Sequence, residues 1–328
     1  MVVSKEGGMR LCRFTLDDLI LTGFYADDRV IPIDQASEAY CEAEGNDLLL
    51  PATENLLDLL PPDGDSFDAV CELASWVDEL DGISLHELSI PVEDVRLLVP
   101  IARPPKLLLL AGNYAAHVLE RGGEAPARAE TFPYVFLKPP STTLTHPGDA
   151  VVIPKTSPDQ IDWECELGVV IGRPCRHVGE YEALEFVAGY TIVNDISDRE
   201  FRPNPARKPR ERDKFFDWMH GKWHDSFCPI GPCILSADSL DDPQALALRL
   251  TVNGQVRQNG TTSQMIFPVA AIVSFLSRFM TLEPGDIIAT GTPAGVGSST
   301  GTYLKPGDYV SATIDGIGSL ENPVAAEE

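Results

Sequence analysis

The sequence predicts a mostly β fold with a few helices, in the α+β class. A small acidic N-terminal domain (1–100) precedes a larger strand-rich unit (101–328). Three observations carry this. Strand-like runs dominate beyond residue 100. Proline (27) and glycine (26) are both frequent, which suits a chain with many turns. Pro-Gly-Asp occurs at 147–149, 284–286 and 306–308, each time before an apolar or alternating run that it turns into a strand.

In chain order, RFTLDDLILTGFYADDRVIPI reads as two short strands around a turn. DSFDAVCELASWVDEL (65–80) spaces apolar residues helically, with acids between them. Arg103-Pro104-Pro105 breaks the chain, and KLLLLAGNY then opens on a buried strand, which sets the boundary near residue 100. YVFLK (134–138), ELGVVIG (166–172) and AGYTIVND (188–195) read as strands. LRLTVNGQVRQ (248–258) places Asn253-Gly254 between alternating runs, a hairpin signal. PVAAIVSFLSRF (268–279) is the clearest helix of the second part. GTPAGVG (291–297) lacks the Lys-Ser/Thr ending and the following helix of a phosphate loop. It reads as a tight turn whose amides and Thr292 suit an anion if it lines a pocket.

Charge narrows the partners. The chain carries a net charge of -25, and residues 1–100 hold 22 acidic against 5 basic side chains. Such a surface repels nucleic acid and anionic membranes, so neither is an expected partner. Seven scattered cysteines without a CxxC pair, and no basic-then-apolar leader, fit a reducing cytoplasm. The apolar stretch 267–276 is too short to span a bilayer.

The chemistry concentrates in DWECELG (162–168). In a strand, Asp162, Glu164 and Glu166 share one face, while Trp163, Cys165 and Leu167 share the other. Three carboxylates on a half-buried face repel one another, so either solvent screens them or a cation neutralises them. Asp195 closes a second apolar strand. Joined to Glu164 and Glu166 it makes an all-oxygen set suited to Mg²⁺, Mn²⁺ or Ca²⁺ rather than zinc. Asp162, at the strand's entry, is a supporting carboxylate. His117 and Glu120 lie three residues apart, on one face of a helical turn.

DWECELGVVIG, TIVNDISDRE (191–200) and TLEPGDIIATGTPAGVG (281–297), together with GNYAAHVLE (112–120) and GKWHDSFCPIGP (221–232), resemble the fumarylacetoacetate hydrolase family, in family order from about 105 to 320. The resemblance implies a mixed β-sandwich roll and a homodimer. It implies a divalent metal, Mg²⁺ or Mn²⁺ with Ca²⁺ admissible, on Glu164, Glu166 and Asp195. The implied activity is hydrolysis of a C–C bond in a 2,4-diketo acid or acylpyruvate-like substrate, a small 2-keto acid, through a chelated enolate. His117 and Glu120 become a dyad that activates water, and Lys222 a donor to the developing oxyanion. Tyr114, Lys138, Arg199 and Thr292 become substrate contacts, with Asn194 and Asp225 in support. Related members are instead decarboxylases, isomerases, or hydrolases and dehydratases of keto-sugar acids. One departure is Arg202, where family hydrolases often place glutamine. It stands in a segment (199–214) with seven basic side chains, read either as a solvated loop or as a collector for a second substrate anion.

Overall fold

Two β-sheets pack face to face, and a layer of N-terminal helices covers the outer side of the larger one. The computed structural model describes every residue except 1–7, 49, 51, 202, 203 and 205. The larger sheet has twelve strands. From Arg10–Leu16 to one edge it runs Arg10–Leu16, Cys228–Ser236, Val187–Asn194, Cys165–Ile171, Ile287–Ala289, Leu107–Ala111 and Tyr134–Leu137. The smaller sheet has five: Gln255–Thr261, Ala247–Val252, Tyr309–Ile314, Gly318–Ala326 and Val151–Ile153.

The strand Cys165–Ile171 is buried along its whole length. Trp163, Cys165, Leu167, Val169 and Ile171 join the core between the sheets, with Leu248, Leu250, Val310 and Ala312 opposite. The other parity faces the helical layer, where Val170 and Val193 pack in a second core with Tyr40, Leu73 and Val77. Both faces are thus covered. The expectation of a half-buried acidic face is corrected: Asp162, Glu164 and Glu166 are all buried. The strand also breaks. Ile161–Asp162 pairs separately with Ser197–Asp198 before the long ladder begins at Cys165.

Local turn chemistry acts as its residue types dictate. Asn253 (φ 52°) and Gly254 (φ 74°) both sit left-handed between Ala247–Val252 and Gln255–Thr261, the conformation of a tight hairpin turn. Gly148, Gly285 and Gly307 all have positive φ, and each Pro-Gly-Asp leads into a strand. The helix expected over 268–279 spans Val269–Ser277, and that over 65–80 spans Phe67–Glu79.

The first hundred residues form three leading strands rather than two: Arg10–Leu16, Leu19–Tyr25 and Arg29–Pro32. They share the large sheet with the rest of the chain, through Arg10↔Leu235 and Leu11↔Ile234. Among the described residues, no helix is long and apolar enough to cross a membrane. All seven cysteines are unpaired.

Candidate functional site

Glu164 and Glu166 flank Cys165 at the start of the long strand, and Asp195 follows the end of its neighbour Val187–Asn194. Antiparallel pairing sets Cys165 opposite Asn194, so the three acids meet. One carboxylate oxygen from each lies within 4.8 Å of the others, and all three residues are buried.

Cations enclose the cluster. Lys222 Nζ donates to Glu164 Oε2 (2.9 Å) and Asp195 Oδ2 (2.5 Å). Arg199 bonds Asp162 Oδ2 through Nε (2.8 Å) and Glu164 Oε1 through Nη2 (2.5 Å). Lys138 Nζ lies 2.6 Å from Asp195 Oδ1 and donates to the Ile196 carbonyl (2.8 Å). The Lys138–Asp195 contact is an ion pair without hydrogen-bond alignment, so that Asp195 oxygen counts among the unsatisfied buried atoms. Among the described residues, three of the cluster's four buried carboxylates, including Asp162, thus share direct contacts with three cations.

This imbalance splits the acids. Burial opposes the Glu164 charge, but Lys222, Arg199 and His117 outweigh it and hold the carboxyl well below its usual range. Burial pushes Glu166 the other way, and Asp195 and Glu164 repel its charge further, so its pKa stands well above the ordinary value. Glu166 Oε1 is buried without a partner. Glu166 Oε1, orphaned in an all-oxygen set with Glu164 and Asp195, fits a hard divalent cation.

The glycine loop supplies the other half of the frame. Its amides bind anions, but the anions are the chain's own carboxylates. Gly291 N–H donates to Glu166 Oε2 (2.7 Å), Gly295 N–H to Glu120 Oε2 (2.9 Å), and Gly297 N–H to Asp162 Oδ1 (2.6 Å). Ser298 N–H reaches Asp162 Oδ2 (3.0 Å). Close approach is possible because no Cβ intervenes. One added at Gly295 would lie 2.1 Å from the Arg257 carbonyl oxygen, at φ +103°.

His117 and Glu120 sit on the short helix Ala115–Glu120. His117 Nδ1 lies 2.8 Å from Glu120 Oε1. A carboxylate only accepts, so Nδ1 is the donor of this bond. Nε2 has no hydrogen bond among the described residues. His117 lines a cleft of about 30 Å³ together with Glu164, Glu166, Lys222 and Thr292. Phe136 and Trp218 form its apolar wall, and Phe136 carries Lys222 over its ring at 5.3 Å.

The remaining expected residues fall into three groups. Tyr114 is buried with its hydroxyl unpartnered, and burial followed by the Glu166 charge raises its pKa. Asn194 accepts from the Glu164 backbone N–H (3.1 Å). The Thr292 hydroxyl donates to the Cys165 carbonyl (2.8 Å) and accepts from Gln258 (2.8 Å), so it braces the strand that carries the acids. Lys138 is sealed in with Asp195 rather than open to a substrate. Asp225 does not orient Lys222: it is exposed, and Glu164 and Asp195 hold that ammonium. Arg202 lies outside the described residues. Within its basic segment, Arg207 bonds Asp217 (2.7 Å) and Arg210 bonds Asp213 (3.1 Å), so part of that charge is neutralised locally.

Two contributors were invisible to sequence reasoning. Gln258 is fully buried and ties Cys165 N–H (2.9 Å) to Thr292 and Pro293; a glutamine in an alternating hairpin strand carries no signal of that. Arg121 lines the cleft, and its adjacency to His117 and Glu120 was the one available hint.

Residues 106–325 match the family model described as fumarylacetoacetate (FAA) hydrolase C-terminal. The chain is 38% identical over 306 residues to oxaloacetate tautomerase YisK of Bacillus subtilis, covering 91% of this chain and 93% of that protein. It is 40% identical over 247 residues to 2,4-didehydro-3-deoxy-L-rhamnonate hydrolase of a Sphingomonas species, covering 74% and 81% respectively. The solved structure of 5-carboxymethyl-2-hydroxymuconate delta-isomerase from Mycobacterium smegmatis aligns with a TM-score of 0.67 and 35% identity, over 98% of this chain and 100% of that one.

Proposed function

Because the chain belongs to the fumarylacetoacetate hydrolase family, we propose that it is a divalent-cation-dependent isomerase of a small 2-oxo acid, moving a proton at the carbon beside the keto group. The carrying observation is the buried His117 imidazole, tethered at Nδ1 and without a hydrogen bond at Nε2 among the described residues, in the same cleft as Glu164 and Glu166. Glu164, Glu166 and Asp195 would hold the cation, Mg²⁺ or Mn²⁺, which when bound supplies Lewis-acid polarisation of a keto oxygen.

The chain's own groups do the rest. His117 Nε2 takes the proton from carbon, and Glu120 stabilises the imidazolium through Nδ1. Gly295 N–H fixes Glu120 in turn. Lys222 opposes the negative charge that gathers on the former keto oxygen. Burial would discharge its ammonium, but Asp195 and Glu164 raise its pKa instead, so the charge persists. Two of its three N–H groups are engaged with carboxylates, leaving one. Proton return to oxygen or to another carbon completes an isomerisation without a further reactant.

A second reading is hydrolysis of the C–C bond of a 2,4-diketo acid. It needs a positioned water as well as the dyad, and the cleft volume of about 30 Å³ suits one. The two are separated by giving the Mg²⁺- or Mn²⁺-supplemented protein a panel of 2-oxo acids in D₂O. Metal-dependent deuterium uptake beside the keto group, with intact carbon skeletons and a loss of about 100-fold or more in His117→Ala, is the expected result. Stoichiometric pyruvate plus a carboxylic acid would replace isomerisation by hydrolysis, and CO₂ as the sole small product would replace both by decarboxylation. The proposed active form is a homodimer.

A further inference from the structure

Eleven residues line the reaction cleft, and Arg121 alone among them is exposed. It therefore stands at the mouth. Of the two cationic lining side chains, Lys222 is committed to Glu164 and Asp195. The Arg121 side chain makes no hydrogen bond or ion pair with any described residue, and only its backbone N–H is engaged, with the Leu119 carbonyl.

Its neighbours explain why. Glu164, Asp162 and Glu120 all attract its guanidinium, but none has an oxygen without a donor. Glu120 holds His117 and the Gly295 amide. Asp162 holds Arg199 and the amides of Trp163, Gly297 and Ser298. Glu164 holds Arg199 and Lys222. Meanwhile Arg121 and Arg199 repel each other. Arg199 keeps one buried nitrogen, Nη1, without a partner. Two guanidiniums held near one another, with a donor to spare on each, is an arrangement that an anion from outside the chain relieves.

The enclosed part of the cleft holds little more than the reacting end of a small acid. The far end of such a molecule must reach the mouth. Resting on the isomerase reading for the orientation of the keto end, we propose that Arg121 is a specificity-determining residue. It receives a second carboxylate of the substrate and so selects 2-oxo dicarboxylates over 2-oxo monocarboxylates.

Calorimetry with the Mg²⁺-loaded full chain tests this without turnover. Paired ligands of equal length are used: 2-oxo dicarboxylates of four to six carbons against the matching 2-oxo monocarboxylates. Wild type is expected to prefer one of the dicarboxylates. Arg121→Gln is expected to lose about 10-fold or more of that preference, the scale of a charge-assisted bond, and Arg121→Lys to recover part of it. An equal effect on both ligand classes, no effect on either, or no preference in wild type would overturn the assignment. Retained, Arg121-dependent selectivity in a protein that exchanges no proton at carbon would overturn the isomerase reading alone.

Discussion

Glu164 and Glu166 are two residues apart and titrate in opposite directions, because Lys222 and Arg199 hold one and no cation bonds the other. In chelator, Glu166 binds its proton more tightly when folded than when unfolded. Stability therefore falls as pH rises from the ordinary glutamate range toward its raised value. Glu164 does the reverse: its contribution is present above the ordinary range and lost on acidification. Glu166→Gln is thus expected to stabilise the metal-free protein at neutral pH by about 1–3 kcal/mol, read by chemical unfolding, while abolishing Mg²⁺ binding. A destabilised apo variant would refute an uncompensated charge at Glu166. In wild type, Mg²⁺ affinity should rise with pH and binding should release a proton, seen as a buffer-dependent heat. The acids themselves were legible in sequence, since alternation alone set Glu164 and Glu166 on one side. Their opposite electrostatics were not, because Lys138, Arg199 and Lys222 arrive from other segments.

At the scale of elements, the loop 291–297 decides how the acids are held. Sequence offered a tight turn or an anion nest, and the loop is both, with Glu120, Asp162 and Glu166 as its anions. Gly295→Ala would force a Cβ to 2.1 Å from a carbonyl oxygen and strain a left-handed residue. The amide that fixes Glu120 moves with it. The expected outcome is a fall of about 10-fold or more in kcat, with Mg²⁺ affinity changed far less, because Glu120 is no ligand. Equal losses in both would mean that the loop positions the triad rather than the dyad. The helix Ala115–Glu120 was read correctly as a turn with His117 and Glu120 on one face, since an i,i+3 pair is a local property. The contact from Gly295 to Glu120 spans 175 positions, and no local pattern encodes it.

Across the whole molecule, the acidic first hundred residues complete the sheet that carries the site. Arg10–Leu16 pairs with Cys228–Ser236, and helices Ile33–Glu44 and Phe67–Glu79 cover Val170 and Val193. Expressed alone, 101–328 would bare that strand edge and an apolar face, both aggregation hazards. It is expected to be insoluble or molten by near-ultraviolet circular dichroism. A soluble fragment with native Mg²⁺ binding would show instead that the N-terminal region is an independent unit. Composition and the Arg103-Pro104-Pro105 break suggested such a unit, because both change where the chain changes, whereas strand pairing leaves no mark on composition. By itself the sequence determined what depends on neighbours a few positions apart: strand parity, turn chemistry, helix faces and the family's acid, dyad and glycine motifs. Only the tertiary structure decided which side chains are spent on one another and which remain for a ligand. It seals Lys138 against Asp195, engages Thr292 with Cys165, turns Asp225 outward and leaves Arg121 unpartnered. The reason is that a charge's role is set by what lies within a few ångströms of it, and in a long-range β fold those neighbours come from distant parts of the chain.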